Sequence, residues 1–381
     1  MTPSPPTISI NSLPAEILDY ILFFAASGRH TGIVDKMLAC KLWHASIVHQ
    51  ARLWNKVRLR FSVWREVVSR QKQAVEGCLA RSNGSDLEVT LVIESSDLQE
   101  KYGPGWKYGY RTEEAKQSIA EIRGILDFLA GCSTSKEQRE VPRWTFLAIQ
   151  FLKGYAREWN EKVLTPFFSS HSFPRLRCVQ FIDDCAPFDL SIASTPRLEE
   201  VDMGPCGFIR LDDIRRVKRL AFTAGPPKNL KGGAYTNLAQ LSLTAPILCT
   251  SLEIPTVTHL EIYDVYGGPP ALGLPSLPRL AHVSVVSCSR IFYDAIPLER
   301  YSTQRSLTGQ YVRDAQNAQF YLRRDDTVAS FSRFLLRCCA AIETLDLGRG
   351  FIEYREVKKA VRQLLNIRKL LVEGKEVSLD D

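Results

Sequence analysis

The 381-residue sequence predicts an α/β protein in which a helical N-terminal module precedes a repetitive parallel sheet. Two patterns support this prediction. Apolar residues recur at helical spacing between residues 8 and 60, and later a short apolar phrase typical of a strand returns at nearly even intervals. The chain therefore divides into a polar, Pro-rich lead (1–7), a helical module (8–60) and an array of repeats (61–381).

Three helices are expected in the module. Pro14 stands where the first would begin, because a first turn does not need its missing N–H, and Glu16 suits the positive end of that helix. The second is expected over about 33–39 and the third over about 41–52. The first helix carries an apolar stripe formed by Leu13, Ile17, Leu18, Ile21, Leu22 and Ala25. So short a module cannot bury all its large apolar groups, so some should contact a partner or the rest of this chain.

The module resembles the F-box of ubiquitin-ligase substrate receptors. The resemblance rests on Leu13-Pro14-x-Glu16-Ile17-Leu18, Ile21, Cys40-Lys41-x-Trp43 and Leu53-Trp54-x-x-Val57, and it covers residues 8–59 only. It implies docking to a Skp-type adaptor and through it to a cullin–RING ligase. The residues that it places at or near the adaptor are Leu13, Pro14, Glu16, Ile17, Ile21, Cys40, Lys41, Trp43 and Trp54. His44 departs from the pattern, because many relatives carry Arg or Lys there.

The later phrase has the form apolar-x-x-apolar-x-apolar. Its eight copies are Leu176/Val179/Phe181, Leu198/Val201/Met203, Val217/Leu220/Phe222, Leu238/Leu241/Leu243, Val257/Leu260/Ile262, Leu280/Val283/Val285, Ile342/Leu345/Leu347 and Ile367/Leu370/Val372. The last residues of the first six are 22, 19, 21, 19 and 23 positions apart. This period resembles that of leucine-rich repeats and implies an irregular solenoid. The alternative is a β-rich domain with coincidental patterning. Trp144/Leu147/Ile149 looks like an earlier copy, and Val89, Leu91 and Ile93 alternate as an opening strand would.

Alternation along a strand sends the last two apolar residues of each phrase inward and the residue between them outward. The outward positions are the predicted client-binding surface: Glu200, Asp202, Arg219, Gln240, Ser242, His259, Glu261, Tyr263 and His282. Pro-Arg-Leu before several phrases predicts a turn into each new strand. Helices are expected over 64–81, 113–131 and 155–170, and insertions that leave the array as loops near 95–112 and 289–326.

No catalytic motif is recognisable, so we expect no enzyme activity and no cofactor. The ten cysteines include no C-x-x-C pair and are expected to be reduced thiols, not metal ligands. His259 and His282 should lie side by side on the outer face, and without an evident third ligand they are interpreted as a solvated pair. The net charge of +7 is mild and its basic clusters are spread out, so nucleic-acid binding is not required. No signal peptide or membrane span is evident, which predicts an intracellular protein, cytoplasmic or nuclear.

The resemblance to F-box proteins implies the substrate-recognition subunit of an SCF-type ubiquitin ligase, with the module on the adaptor and the repeats on a client protein. The alternative is a scaffold outside any ligase, in which the N-terminal helices only cap the solenoid, because terminal repeats need caps.

Overall fold

The computed structural model describes residues 13–14, 17–18, 20–21, 41–61, 65–94, 113–131, 142–152, 160–182, 188–203, 207–211, 216–222, 236–244, 253–264, 276–287, 306–311, 324–338, 342–347, 355–364, 366–372 and 375–377. It confirms the α/β class. The chain forms two compact units, one of Met1–Arg177 with Ser191–Thr195 and one of Cys178–Leu190 with Pro196–Asp381. The expected helix over 33–39 and the insertion near 95–112 lie outside the described residues.

The first unit contains helices, turns and three parallel strands. Its elements are α1 (Lys41–His49), a 3-10 turn (Ala51–Leu53), β1 (Lys56–Phe61), α2 (Arg65–Arg81), β2 (Leu87–Glu94), α3 (Glu113–Leu129), β3 (Trp144–Leu152), a π turn (Asn160–Leu164) and α4 (Thr165–Ser170). β1 pairs with β2 and β2 with β3, so that Val57, Val89 and Leu147 share one buried row. The earlier copy of the phrase and the opening strand are thus both strands of this sheet.

Residues 56–60 belong to the sheet, although the sequence placed them in the helical module. Val57, Leu59 and Phe61 are buried and alternate with exposed Arg58 and Arg60, which is the pattern of a half-buried strand. Arg58 and Arg60 between them made this alternation difficult to recognise in the sequence.

The expected helices after β1 are confirmed as α2 and α3. Gly131 follows α3 with φ +79°, a left-handed conformation that commonly ends a helix.

The second unit is built on nine parallel strands, counted within the described residues, each hydrogen-bonded to the next in chain order. They are β4 (Cys178–Ile182), β6 (Glu200–Asp202), β8 (Arg219–Phe222), β9 (Gln240–Thr244), β10 (His259–Asp264), β11 (His282–Ser287), β12 (Ser306–Tyr311), β13 (Thr344–Leu347) and β14 (Lys369–Val372). A short antiparallel strand, β15 (Lys375–Val377), pairs with β14. β5 (Phe188–Ile192) and β7 (Gly207–Leu211) lie outside this sheet, and helices α5 (Arg324–Cys338) and α6 (Arg355–Arg362) follow β12 and β13.

Each of the eight phrases forms one strand and the turn before it. All their apolar residues are buried except Val372, which is half-buried. The register aligns equivalent positions, as in Val179 with Val201 and Leu260 with Val283. Each strand therefore covers its inward side chains only together with its neighbours. The Pro-Arg dipeptides at 174–175, 196–197 and 278–279 form turns before their strands, as expected.

The expected insertion over 289–326 is partly wrong, because it contains β12. β12 lies between β11 and β13, with Gly309 opposite both Val285 and Leu347. Leu307 occupies the first inward position and is buried, whereas Gly309 occupies the second. A glycine leaves this second inward position without a side chain, so the phrase cannot be recognised in the sequence. α5 then begins at Arg324, inside the range expected to be loop.

Candidate functional site

The N-terminal helical segment comprises residues 13–14, 17–18 and 20–21 of the described set, and one buried side chain anchors it. Leu18 packs in a cluster with Ile47, Leu53 and Trp54, and Trp43 and Cys78 pack against this cluster. The backbone N–H groups of Ile17 and Leu18 both donate to the carbonyl oxygen of Pro14 at 3.0 Å, which forms the first helical turn after the proline. Leu18 is 1% exposed, so the segment is fixed to α1 through it.

Trp54 holds the other side of this cluster. Its indole Nε1 donates to the carbonyl oxygen of Ile47 at 2.8 Å, and the Arg81 guanidinium lies over its ring at 4.5 Å from the centroid. In such a cation–π contact the positive charge is attracted electrostatically to the face of the ring. Trp54 is therefore an internal packing residue that is only 8% exposed.

A patch of exposed apolar side chains lies on the same segment. Ile17, Tyr20 and Ile21 are 49, 58 and 37% exposed, and their spacing of three and four places them on one helical face. Three of the six large hydrophobic side chains that are exposed among the described residues thus occur within five positions. Arg52 lies over the Tyr20 ring at 5.5 Å. We call Ile17, Tyr20 and Ile21 the apolar face.

The predicted adaptor residues divide into three groups. Pro14, Ile17, Ile21 and Lys41 are exposed. Leu13 and Trp43 are half-buried, and Trp54 is buried. Glu16 and Cys40 lie outside the described residues. Tyr20 was missed by the sequence reasoning, although its position three residues after Ile17 was a usable signal.

The outer surface of the second unit's sheet carries polar side chains in two rows. The register places Glu200, Arg219, Gln240, His259 and His282 in one row and Asp202, Ser242 and Glu261 in the next. Those of the first row are exposed or half-buried. Asp202 and Glu261 are half-buried, and Ser242 is buried. The side chain of Tyr263 is outside the described set.

A hydrogen-bonded network orders the second row. The Ser242 hydroxyl donates to Oε2 of Glu261 at 2.6 Å, and the Arg219 guanidinium lies 3.6 Å from the same oxygen. A buried hydroxyl needs such an acceptor, because a buried donor without a hydrogen bond retains the full free-energy cost of its desolvation. The carboxylate of Glu261 therefore links β8, β9 and β10 and holds a fixed charge pattern on this face.

The expected neighbour relation of His259 and His282 is confirmed. They are opposite one another in the β10–β11 register, and their rings stack with centroids 4.4 Å apart. The Thr258 hydroxyl lies 2.8 Å from Nδ1 of His259. Burial lowers the pKa of His259, and neighbouring His282 lowers it further, against a smaller opposite effect of Glu261. The described residues include no group of three His, Cys, Asp or Glu side chains placed to hold a metal.

Ser170, His171 and Asp127 lie close together in the first unit, but not as a nucleophilic triad. Nδ1 of His171 is 2.9 Å from the Ser170 hydroxyl and 2.8 Å from the carbonyl oxygen of Phe167, while Nε2 is 3.5 Å from Asp127. A carbonyl oxygen only accepts, so the contact with Phe167 is a hydrogen bond only when Nδ1 carries the proton, and that tautomer is not a base for the serine. The arrangement ties the C-terminal end of α4 to α3.

Cys178 is also unsuited to nucleophilic chemistry. Burial raises the pKa of its thiol to about 11, with further contributions from Glu200 and Asp202. The reactive species of cysteine is the thiolate, which is scarce at neutral pH with such a pKa. The outer face therefore presents Cys178 as a thiol.

No protein-family model matches the chain, and no curated protein matches its sequence. None of the helices within the described ranges combines the length and the apolar character needed to cross a membrane.

Proposed function

We propose that this chain is the substrate-recognition subunit of an SCF-type cullin–RING ubiquitin ligase. The observation that carries the proposal is the apolar face: Ile17, Tyr20 and Ile21 are exposed to solvent on a segment whose Leu18 is buried. Concentrated exposed apolar side chains typically mark an interaction site. A Skp-type adaptor is the partner that the F-box-like pattern of residues 8–59 implies.

The energetics of the apolar face suit a docking function. Fully burying an aliphatic or aromatic side chain contributes about 1.5–3 kcal/mol, and a few such residues dominate most protein interfaces. Each of the three side chains keeps a third or more of its surface to lose. The buried cluster of Leu18, Ile47, Leu53 and Trp54 already fixes the segment that carries these side chains. Docking therefore does not include the entropic cost of ordering that segment.

Client recognition is assigned to the outer face of the second unit's sheet. The consecutive parallel strands and the repeated phrase support a leucine-rich-repeat solenoid, in which such a sheet is open to a partner. Arg219, Ser242 and Glu261 offer ordered polar groups there, beside the stacked histidines. The chain itself would form no bonds; it would hold the client near an activated ubiquitin carried by another subunit.

The test is co-purification of the full chain with a Skp-type adaptor. Ile17→Asp/Ile21→Asp should abolish stoichiometric capture and leave the melting temperature nearly unchanged, because both residues are exposed. Phe128→Asp and Leu336→Asp are matched controls, since they place the same charge on exposed apolar positions of α3 and α5. Capture that survives in the double variant, or that is lost equally in the controls, would reject docking through the apolar face.

The scaffold alternative is favoured by a different observation. The Leu18–Trp54 cluster packs against Cys78, and Arg81 of the same helix, α2, covers Trp54. The N-terminal segment therefore also covers part of α2, as a cap would. Under this alternative a well-folded wild-type chain captures no adaptor, while Leu18→Ala lowers its solubility and melting temperature.

A further inference from the structure

Helices α5 and α6 carry much of the chain's net positive charge. α5 contains three arginines and two aspartates, and α6 contains four basic residues and one glutamate. Together they carry a net charge of +4, against +7 for the whole chain. These two helices thus hold more than half of the net charge, although Lys and Arg as a whole are spread along the chain.

The topology brings these two helices together. α5 connects β12 to β13 and α6 connects β13 to β14, and crossovers between parallel strands share one hand, so both helices lie on the same side of the sheet. They contact one another. α5 buries Phe331, Phe334 and Leu335, and α6 buries Val357, Ala360 and Val361.

The opposite sides of the two helices form one solvent-facing surface. Its exposed residues, which we call the basic surface, are Arg333, Leu336, Arg337, Lys358, Lys359 and Arg362. Lys358, Lys359 and Arg362 form no ion pair with any side chain that the structure describes. The surface is thus cationic, with one apolar side chain in it.

The stability of the helices accounts for only part of this charge. Arg337, Lys359 and Arg362 lie in the last turns, where the helix dipole favours cations. Lys358 lies earlier in α6 and stands four residues before Arg362, which is a repulsive spacing of two cations on a helix. Arg333 lies earlier in α5 and donates a hydrogen bond to the Ser330 hydroxyl oxygen. An anionic partner across both helices would relieve this repulsion.

We infer that the basic surface binds an acidic segment of a partner protein that also carries apolar side chains. The exposed apolar side chain of Leu336 distinguishes an acidic peptide from other polyanionic partners. It is 47% exposed and lies between Arg333 and Arg337 along α5. A phosphate backbone neutralises the cations but leaves Leu336 in water, whereas an acidic peptide with a leucine satisfies both. The inference is independent of adaptor docking.

The experiment measures fluorescence anisotropy of a short labelled peptide of Glu, Asp and Leu with the full-length chain. We expect binding that weakens with added salt, because exposed charges are screened. Lys358→Gln/Lys359→Gln/Arg362→Gln should raise the Kd of the peptide about tenfold or more. Leu336→Ser should weaken it several-fold. Arg70→Gln/Lys72→Gln on α2 is the matched control and should leave the Kd within about twofold, since it removes exposed cations elsewhere.

Two rival probes distinguish the other polyanions. A labelled single-stranded oligonucleotide of equal charge and vesicles of mixed phosphatidylserine and phosphatidylcholine should bind more weakly than the peptide and should not respond to Leu336→Ser. Tighter binding of either probe overturns the inference, as does a peptide that binds none of the proteins. Circular dichroism and melting curves check each variant, and Lys358→Arg/Lys359→Arg should retain peptide binding.

Discussion

The N-terminal helical segment and the strands of the second unit use their apolar residues in opposite ways. In the repeated strands the apolar positions of each phrase are turned inward, and most residues of the outer face are polar. In the helical segment Leu18 is turned inward while Ile17, Tyr20 and Ile21 remain in contact with water. The strands complete their own burial by stacking, whereas the helical segment keeps three large apolar side chains exposed. Adaptor docking is therefore proposed for the segment and not for the sheet.

The largest effect that would test this contrast is on the interior of the helical module. Trp54→Ala removes a buried ring, its hydrogen bond to Ile47 and its contact with Arg81. We expect a loss of about 3–5 kcal/mol in the free energy of unfolding of the first unit. Denaturant titration followed by circular dichroism measures it. Ile17→Ala, one helical position from Leu18, should cost well under half of that because Ile17 is exposed; equal costs would contradict the division into an inner and an apolar face.

The second prediction concerns the sheet. Leu260→Ala empties the first inward position of β10, where Leu241 and Val283 are its neighbours in the register. Removal of a fully buried leucine side chain costs about 2–5 kcal/mol. Gln240→Ala, on the outer face of the adjacent strand, should change the free energy of unfolding by about 0.5 kcal/mol or less. A large effect of the outer substitution would show that this face is packed and unsuitable for a client.

Much of the second unit's sheet was predictable because most of its strands repeat the same local spacing of buried apolar residues. A strand with its turn needs apolar residues at three fixed positions, and most strands of the second unit supply all three. β12 was missed because Gly309 supplies no side chain at the second inward position. β1 was missed because its alternation lies directly after helical residues and between arginines. In both cases pairing with neighbouring strands selects the conformation, and that information is not local.

The candidate sites were predictable to a smaller extent. The register sets Ser242 opposite Glu261, so a cross-strand pair could be anticipated from the repeat spacing. The approach of Arg219 from β8 to the same carboxylate depends on side-chain rotamers that no spacing fixes. Likewise, the F-box-like pattern marks Ile17 and Trp54 equally. Only the packing shows that one is exposed and the other buried.

The third prediction tests the polar order of the outer face. Glu261→Ala leaves the buried Ser242 hydroxyl without its acceptor and removes the carboxylate beside Arg219. We expect a loss of about 1–3 kcal/mol in stability, the cost of an unsatisfied buried group. The double variant Ser242→Ala/Glu261→Ala should recover part of this loss, because it removes the stranded hydroxyl as well. Chemical unfolding of the four proteins of this cycle gives the coupling energy, and a coupling near zero would show that the hydrogen bond contributes nothing.

The smallest expected effect is a pH dependence from the stacked histidines. In the unfolded chain His259 takes up a proton near pH 6.5, the ordinary pKa of a histidine side chain. In the folded chain it does so only at lower pH, because burial and His282 disfavour the charged form and lower the pKa of His259. As the pH falls through this window the unfolded chain therefore binds more protons, so the contribution of His259 to stability is full above pH 6.5 and declines below it.

Melting temperatures between about pH 7.5 and 5.5 measure this decline, which spans the ordinary range of histidine titration. They should decline less for His259→Gln than for the wild type, because the glutamine does not titrate. His282→Gln should behave in between, since it removes the neighbouring charge but leaves the burial of His259. If both variants decline as steeply as the wild type, neither burial nor His282 lowers the pKa of His259 enough to affect stability.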